Sequence, residues 1–242
     1  MTQWEKMLNN IEREYENHPR DFLRQPTIAR AVHPNISNLA KAYYKKASTD
    51  QWLKDHTRKL KDPKLGNPVR QANEMSLITV QSMYYIYLMI QHFGMNPITE
   101  NLNVTDIGGG YGNMARIFRT LGSAGDYDII DFPVMHKIQK DYLNHCKIDD
   151  VNFKSLEEDN LEGDLLIATF SMNEMPLEDR KIIENKIEGY DKIFIGHNRQ
   201  FDGIDNVEYF RALKKRLEEK YEITRFQCDL MGIHRYFIGV KK

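Results

Sequence analysis

Three things are scarce in this 242-residue chain: cysteine, net charge and long apolar runs. The two cysteines, Cys146 and Cys228, stand apart from any Cys-x-x-Cys or histidine spacing, so we expect reduced thiols rather than a disulfide or a zinc site. Lysine and arginine (34) almost cancel aspartate and glutamate (35), which leaves no net positive field to gather nucleic acid. A small-molecule or glycan substrate fits this balance better.

Apolar and aromatic residues make up 41% of the chain and charged residues 29%, which is the balance of a folded protein. The strongest apolar run, residues 83–90, is far shorter than the roughly 20 residues that a membrane span needs. The first residues also lack the apolar stretch of a signal peptide. We therefore expect a cytoplasmic protein without a membrane span, and a homodimer is compatible with these features.

The first hundred residues show helical spacing of apolar positions and no convincing strand. The apolar face of a first helix, which should end before Pro19, is formed by Trp4, Met7, Leu8, Ile11 and Tyr15. A second helical region spans residues 37–60 and is interrupted at 48–50, where Ser-Thr-Asp is typical of a new helix start. A third spans 72–93 and stops at Gly94.

A proline- and glycine-containing segment at 61–68 predicts a boundary between an N-terminal helical region (1–68), acting as a substrate lid or in dimerisation, and a second domain (69–242). From residue 103 short apolar strands alternate with helices at 114–121, 178–189 and 207–220, which predicts a parallel sheet with helices on both faces. The predicted strands are 103–107, 127–131, 152–155, 164–170, 192–196, 222–229 and 234–240.

The last two strands are joined by so few residues that they must run antiparallel. The predicted fold is thus α/β: five parallel strands and a terminal antiparallel hairpin, preceded by the N-terminal helical region. This layout resembles the Rossmann-like, seven-stranded sheet of class I methyltransferases.

A glycine-rich loop follows the first predicted strand of this sheet, and its residues are Asp106, Gly108, Gly109, Gly110, Tyr111 and Gly112. Glycines allow a sharp turn and a close backbone approach to a ligand, and the following helix start presents unpaired N–H groups. Asp106 could meet an ammonium group. We therefore expect the loop to hold S-adenosyl-L-methionine, which leaves as S-adenosyl-L-homocysteine. A purely structural turn is the alternative.

The glycines also have a rival interpretation. Gly110-x-Gly112-x-x-Ala115 satisfies the dinucleotide-binding fingerprint, and Asp131 lies about 20 residues further on, where both kinds of site place a ribose-binding acid. The terminal hairpin and Asp106 favour the methyltransferase interpretation, because a carboxylate beside a pyrophosphate would be repelled.

The remaining predicted cofactor contacts follow the later strands. Asp131 can accept two ribose hydroxyls, and Phe132 beside it can pack on adenine. Asp131 could instead serve as an acidic cap at the strand end. Ser155 and Leu156 follow the third strand, and Phe170 and Ser171 follow the fourth.

The glycine loop together with Ile129-Ile130-Asp131-Phe132-Pro133 and residues 169–176 (Thr-Phe-Ser-Met-Asn-Glu-Met-Pro) resembles a sugar O-methyltransferase family found near bacterial surface-polysaccharide genes. The same order is also similar to small-molecule O-methyltransferases of the plant phenolic type. The resemblance covers residues 60–240. Plant-type enzymes carry a catalytic histidine after the fourth strand, where this chain has Asn173-Glu174.

In this architecture the acceptor site lies at the carboxyl ends of the parallel strands. The candidates for proton removal are Glu174, with Asn173 orienting a hydroxyl, and His197, because imidazole titrates near neutral pH without special help. A water-poor environment would raise the pKa of Glu174 towards neutrality. The structural alternatives are a helix cap for Glu174 and a hydrogen-bonding role for His197.

Four polar residues complete the predicted acceptor site: Asn67, Arg70, Asn198 and Arg199. No His/Asp/Glu spacing resembles a preformed metal site, so we expect no metal. The predicted function is O-methylation of a sugar or sugar-containing metabolite. Two alternatives stay open: methylation of a phenolic or amine acceptor, and a noncatalytic binding module of the same fold.

Overall fold

The computed structural model describes residues 3–157 and 161–242, without the side chains of residues 3–5. Trp4, placed on the apolar face of the first helix, therefore has its side chain outside the described part. The chain forms two compact units. The first comprises Met1–Leu88, Gly110–Gly122 and Phe132–Asp149, and the second comprises Met89–Gly109, Ser123–Asp131 and Asp150–Lys242. The boundary after residue 68 stays a prediction.

The first unit begins with helices α1 (Gln3–Asn17), α2 (Pro26–Val32), α3 (Ser37–Ala47) and α4 (Gln51–His56), with 3-10 turns at Phe22–Arg24 and Thr57–Leu60. The expected break near residues 48–50 is confirmed, because the Asp50 side chain accepts a hydrogen bond from the Leu53 N–H at 2.9 Å and so caps α4. Helix α2 was not predicted. It starts with Pro26 in its first turn, where a missing N–H is harmless.

Two short strands, β1 (Arg70–Ala72) and β2 (Met75–Ser76), form an antiparallel hairpin ahead of helix α5 (Leu77–Phe93). The prediction of no strand in this region, with a helix from residue 72, is therefore wrong. Asn73 and Glu74 both have positive φ angles, 49° and 63°, as the two central residues of a tight hairpin turn require. The helical spacing of the apolar residues in this region gave no indication of the hairpin turn.

The remaining elements alternate as the sequence predicted. They are β3 (Val104–Ile107), α6 (Asn113–Thr120), β4 (Tyr127–Ile130), α7 (Pro133–His145), β5 (Asn152–Lys154), β6 (Leu165–Thr169), α8 (Leu177–Lys186), β7 (Lys192–Asn198), β8 (Gln200–Phe201), β9 (Ile204–Asp205), α9 (Asn206–Leu217), β10 (Tyr221–Gln227) and β11 (His234–Lys241). The helix α7 and the small β8–β9 hairpin were not predicted. None of the described helices is long and apolar enough to cross a membrane.

The second unit contains a seven-stranded sheet in the order β10-β11-β7-β6-β3-β4-β5. Strands β3 to β7 run parallel, and β11 pairs antiparallel with both β7 and β10. This confirms the predicted α/β sheet with its terminal antiparallel hairpin. Every residue of β3 and β4 is buried, as expected for parallel strands covered on both faces.

The parallel arrangement positions the candidate residues. Because parallel strands all point the same way, the segments that follow β3, β4, β5, β6 and β7 emerge at one edge of the sheet. We call this the carboxyl edge. Behind it, in the same unit, a core that includes Ile107, Ala168, Ile195, Phe210 and Phe237 keeps the strand ends in place.

Candidate functional site

Asp106 lies near the end of β3, inside the second unit, with 1% of its surface exposed. The Tyr127 hydroxyl donates to its Oδ2 at 3.0 Å, whereas Oδ1 has no hydrogen-bond partner among the described residues. Burial raises the pKa of this carboxyl from 3.8 to about 7. The site therefore holds a buried acceptor that suits a cationic N–H donor from a ligand.

The backbone turns away from β3 at Gly108 and Gly109. Gly108 has a φ of +71°, and a Cβ there would lie 2.3 Å from the Ser171 Cβ. A Cβ on Gly109 would lie 2.8 Å from the Ile129 side chain. No side chain fits at either position, which explains why the loop is made of glycine.

The loop continues in the first unit as Gly110, Tyr111 and Gly112. Gly112 is the N-cap of α6, with a φ of +91° and no side-chain cap, so the first N–H groups of α6 are not satisfied by a capping side chain. Tyr111 is 2% exposed and packs edge-on against Tyr142, which makes it a structural anchor of the loop. Gln139 Nε2 donates to the Gly110 carbonyl at 2.9 Å.

The segment after β4 carries the predicted ribose-binding acid. The Gly108 N–H donates to the Ile130 carbonyl at 2.8 Å, so Asp131 comes next to the start of the glycine loop. Asp131 is partly exposed, and its N–H donates to the Lys154 carbonyl at 3.3 Å. Phe132 opens the α7 segment with 48% of its surface exposed. An exposed aromatic ring can pack on a planar ligand.

The residues after β5 and β6 that were predicted to contact the cofactor already interact with other parts of the protein. Ser155 and Leu156 are partly buried, and Leu156 packs against the core. The Ser171 hydroxyl donates to the Ile107 carbonyl, which ties the end of β6 to the end of β3. Phe170 has a φ of +66°, rare for a residue with a side chain, and its ring lies 4.2 Å from that of His234. Such strained backbone is typical of functional strand ends.

Asn173 is fully buried just beyond β6, and neither its side-chain nitrogen nor its side-chain oxygen has a partner among the described residues. A buried amide with both groups unused is suited to bind a hydroxyl, which donates and accepts at once. Glu174 follows and is partly buried. Burial raises its pKa from 4.5 to about 7, as expected from the sequence.

Arg180 is a residue that the sequence analysis missed. Its guanidinium is fully buried and donates to the Asn173 carbonyl at 2.6 Å, the Met175 carbonyl at 2.9 Å and Asn206 Oδ1 at 2.8 Å. It thereby holds both ends of the Asn173–Met175 turn and joins it to the start of α9. No spacing in the sequence marks it, because an arginine in the first turns of α8 looks like any solvated helix residue.

His197 lies on β7 with 1% of its surface exposed. Its ring stacks on Phe210 at a centroid distance of 4.2 Å, and Nδ1 lies 3.1 Å from the Asn198 carbonyl oxygen. Burial, helped by Arg225 and Arg235, lowers its pKa from 6.5 to about 4. The expectation that it titrates near neutral pH is therefore wrong, because that value holds only for a solvated ring.

The predicted acceptor residues fall into both units. In the second unit Asn198 ends β7 with a buried Oδ1 that has no partner among the described residues, and Arg199 is exposed. In the first unit Asn67 and Arg70 are exposed, and Arg70 donates to the Asp62 carbonyl at 3.1 Å. Across residues 3–157 and 161–242 no three His, Cys, Asp or Glu side chains form a group that could hold a metal ion.

Comparison with known proteins adds to this geometry. No family model and no curated protein matches the chain. Among solved structures, a protein of Thermoplasma acidophilum is similar at 15% identity over 78% of this chain and 97% of its own, with a TM-score of 0.50. A candidate RNA methyltransferase from Pyrococcus horikoshii is similar at 14% identity over 67% of this chain and 84% of its own, also with a TM-score of 0.50.

At these identities the likeness is one of fold. Together with the strand order it defines the class: the chain has the class I methyltransferase fold, with an N-terminal helical segment. The fold does not identify the acceptor of the methyl group, since one fold hosts many functions.

Proposed function

We propose that the chain is an S-adenosylmethionine-dependent O-methyltransferase acting on a hydroxyl of a sugar or a sugar-containing metabolite. The observation that carries the proposal is the buried Asp106, whose Oδ1 is unpartnered among the described residues where the glycine loop begins. A ligand ammonium would satisfy this oxygen. A dinucleotide would instead bring a pyrophosphate to the loop, which has no N–H to donate to this oxygen and which the ionised form of the carboxyl group would repel.

The residues around Asp106 fit the rest of this cofactor. Glycines at 108 and 109 allow the tight turn after β3, because a Cβ at either position would clash with Ser171 or Ile129. Asp131 is partly exposed beside that turn and is suited to accept the two ribose hydroxyls, and the exposed ring of Phe132 is suited to adenine. S-adenosylmethionine, when bound, supplies an electrophilic methyl group.

The chemistry that remains for the protein is alignment of the acceptor and removal of one proton. Asn173 would bind the acceptor hydroxyl through its unused amide. Glu174 would take the hydroxyl proton as the oxygen–carbon bond forms and the carbon–sulfur bond breaks. A carboxylate with a pKa of about 7 is matched to proton transfer near neutral pH.

A sugar acceptor is supported by the segment around Asn173. Residues 171–176 and the Asp-x-Pro at 131–133 resemble those of sugar O-methyltransferases, and an Asn-Glu pair replaces the histidine of phenol-methylating enzymes. A sugar hydroxyl is a poor acid, so a positioned base and a hydroxyl-binding amide suit it. Phenolic and amine acceptors are the alternatives that a substrate screen would reveal.

Isothermal titration with S-adenosylmethionine and with NAD tests the cofactor assignment. We expect S-adenosylmethionine to bind and NAD not to bind. Asp131→Ala should weaken cofactor binding by about 1 to 3 kcal/mol, because a ribose would lose its charged acceptor. Asp126→Ala, at the opposite end of the same strand, is the matched control and should bind normally. Binding of NAD alone would overturn the proposal.

A screen for S-adenosylhomocysteine release over nucleotide sugars, free glycans, catechols and amines tests the acceptor. We expect turnover with a hydroxyl-bearing sugar. Turnover only with a catechol or an amine would keep the methyltransferase assignment and refute the sugar acceptor. Cofactor binding without turnover on any member would favour a noncatalytic binding module.

A further inference from the structure

Two arginines of the second unit, Arg225 on β10 and Arg235 on β11, lie on the same face of the sheet near its carboxyl edge. Arg235 is paired with His197, one residue before the end of β7, and Arg225 is paired with Phe237. Paired residues share a face of the sheet, and so do residues two apart on one strand. Helix α9 covers this face, since the ring centroids of Phe237 and Phe210 are 5.8 Å apart.

Both guanidinium groups are partly buried, and their hydrogen-bond partners are neutral. Arg225 Nη2 donates to the carbonyl of Val207, in the first turn of α9, at 3.0 Å. Arg235 Nη2 donates to Gln227 Oε1, also at 3.0 Å. The Nε of Arg225 is buried without a hydrogen-bond partner among the described residues. One arginine therefore has an unused donor beside the start of α9.

The nearby carboxylates are engaged elsewhere. In the part of the second unit that the structure describes, the arginines that pair with a carboxylate are Arg211, with Glu208, and Arg216, with Glu184. Both oxygens of Glu208 accept from Arg211 at 2.7 Å. Asp205 is the N-cap of α9 and accepts from the first N–H groups of that helix. The two arginines on β10 and β11 thus keep an uncompensated positive charge.

A third guanidinium adds to this charge. Arg180 is fully buried and donates to Asn206 Oδ1 at 2.8 Å. Asn206 is fully buried as well, and its Nδ2 has no partner among the described residues. Burial, with Arg211 and Arg235 nearby, lowers the pKa of Arg225. Partly or fully buried charges of one sign with unused donors are unfavourable until an anion joins them.

A phosphate group suits these arginines better than a carboxylate does. A phosphate monoester carries nearly two negative charges and three acceptor oxygens, so it can bind more than one guanidinium, and each planar guanidinium can donate to two of its oxygens. The arginines also adjoin the proposed acceptor site. Arg180, which holds Asn206, donates to the Asn173 carbonyl at 2.6 Å. One guanidinium therefore lies between Asn206 and the residue whose amide would bind the acceptor hydroxyl.

We infer that Arg225 and Arg235 bind a phosphate group of the acceptor, so that the methylated molecule is a sugar phosphate or a nucleoside diphosphate sugar. This inference rests on the proposed function, since it names a chemical group of the same acceptor. Arg180 would contribute charge rather than a hydrogen bond, because its Nε, Nη1 and Nη2 already donate to the protein.

Isothermal titration with glucose-1-phosphate, uridine diphosphate glucose and the uncharged methyl glucoside tests the inference. The two phosphate-bearing probes should bind the wild-type protein at least about 10-fold more tightly than methyl glucoside, and the tighter of the two identifies the source of the phosphate. Arg225→Gln and Arg235→Gln should each weaken phosphate-probe binding about 10-fold and leave S-adenosylmethionine binding unchanged. Arg225→Lys keeps the charge without the planar fork, so it should lose less.

Arg216→Gln is the matched control, since Arg216 is an arginine of α9 that pairs with Glu184, and it should bind every probe normally. Equal binding of the three probes to the wild-type protein would refute the inference. Undiminished phosphate-probe binding by both glutamine variants would refute it too, and the proposed cofactor would stand in either case if S-adenosylmethionine binds. Absence of S-adenosylmethionine binding to the wild-type protein would instead overturn the proposed function.

Discussion

The ends of β6 and β7 each carry a candidate base, and burial changes the two in opposite directions. Glu174, after β6, is partly buried, and its pKa rises from 4.5 to about 7. His197, on β7, is almost wholly buried, and its pKa falls from 6.5 to about 4. Burial disfavours the charged form in both cases. It therefore makes the carboxylate a better base at neutral pH and the imidazole a weaker one.

The surroundings reinforce this difference. His197 is stacked on Phe210, and its ring lies within the field of Arg225 and Arg235, which oppose its protonation. Glu174 lies in a turn that Arg180 holds by two hydrogen bonds to backbone carbonyls, and a third hydrogen bond joins Arg180 to Asn206. A residue type that suits a reaction is thus insufficient. The burial and the neighbouring charges decide whether the group can act.

The largest effect is expected from Arg180→Met. The change leaves the Asn173 and Met175 carbonyls and the Asn206 amide oxygen without their donor, so the free energy of unfolding should fall by about 3 kcal/mol. Turnover should fall as the Asn173–Met175 turn loosens, with cofactor affinity unchanged. Urea unfolding and single-turnover kinetics measure both, with the exposed neighbour Lys181→Met as the control. An equally stable variant would show that these hydrogen bonds are not maintained in solution.

Glu174→Gln should lower turnover about 100-fold or more while cofactor affinity is retained, because the acceptor loses its base. Glu178→Gln, an exposed glutamate in the first turn of α8, is the matched control and should turn over normally. Kinetics at saturating S-adenosylmethionine provide the measurement. Normal turnover of Glu174→Gln would show that another group removes the hydroxyl proton.

Titration of Glu174 and of His197 should also change the free energy of unfolding with pH in opposite directions. Glu174 has a raised folded pKa, so the stability that it contributes is present below about 4.5 and is lost as pH rises to about 7. His197 has a lowered folded pKa, so its contribution is present above about 6.5 and is lost as pH falls to about 4.

Urea unfolding at several pH values tests this opposition. From pH 4.5 to 7 the wild-type protein should lose stability relative to Glu174→Gln, by at most about 1.4 kcal/mol per pH unit. From pH 4 to 6.5 it should gain stability relative to His197→Gln, with the same upper bound. Parallel curves for the wild type and either variant would show that the corresponding pKa is not shifted.

The smallest effect on catalysis is expected from His197→Gln. Because the buried ring is a poor base, turnover should fall less than about 10-fold, with a raised Michaelis constant for the acceptor if His197 only positions the sugar. His145→Gln, an exposed histidine at the end of α7, serves as the control. A larger loss than in Glu174→Gln would reverse the ranking of the two candidate bases.

Local sequence patterns were enough to predict most of the fold. Short strand-like segments of four to eight residues, separated by helical spacing, predicted all seven strands of the main sheet to within two residues at either end. The connection between the last two strands was too short for a crossover, which made β11 antiparallel. The Asp50 cap was equally visible, because a cap depends on neighbours only three residues away. These features are local, and so the chain reveals them without its tertiary structure.

What the sequence could not reveal depends on residues that meet only when the chain folds. The β1–β2 hairpin was not predicted, because Asn73 and Glu74 adopt left-handed backbone conformations that these residue types do not indicate by themselves. Arg180 resembles a solvated helix residue until folding brings the Asn173 and Met175 carbonyls and Asn206 around it. The sequence left Glu174 and His197 as competing candidates for the base. Only the tertiary structure separated them, because a pKa is set by burial and by charges that are distant along the chain.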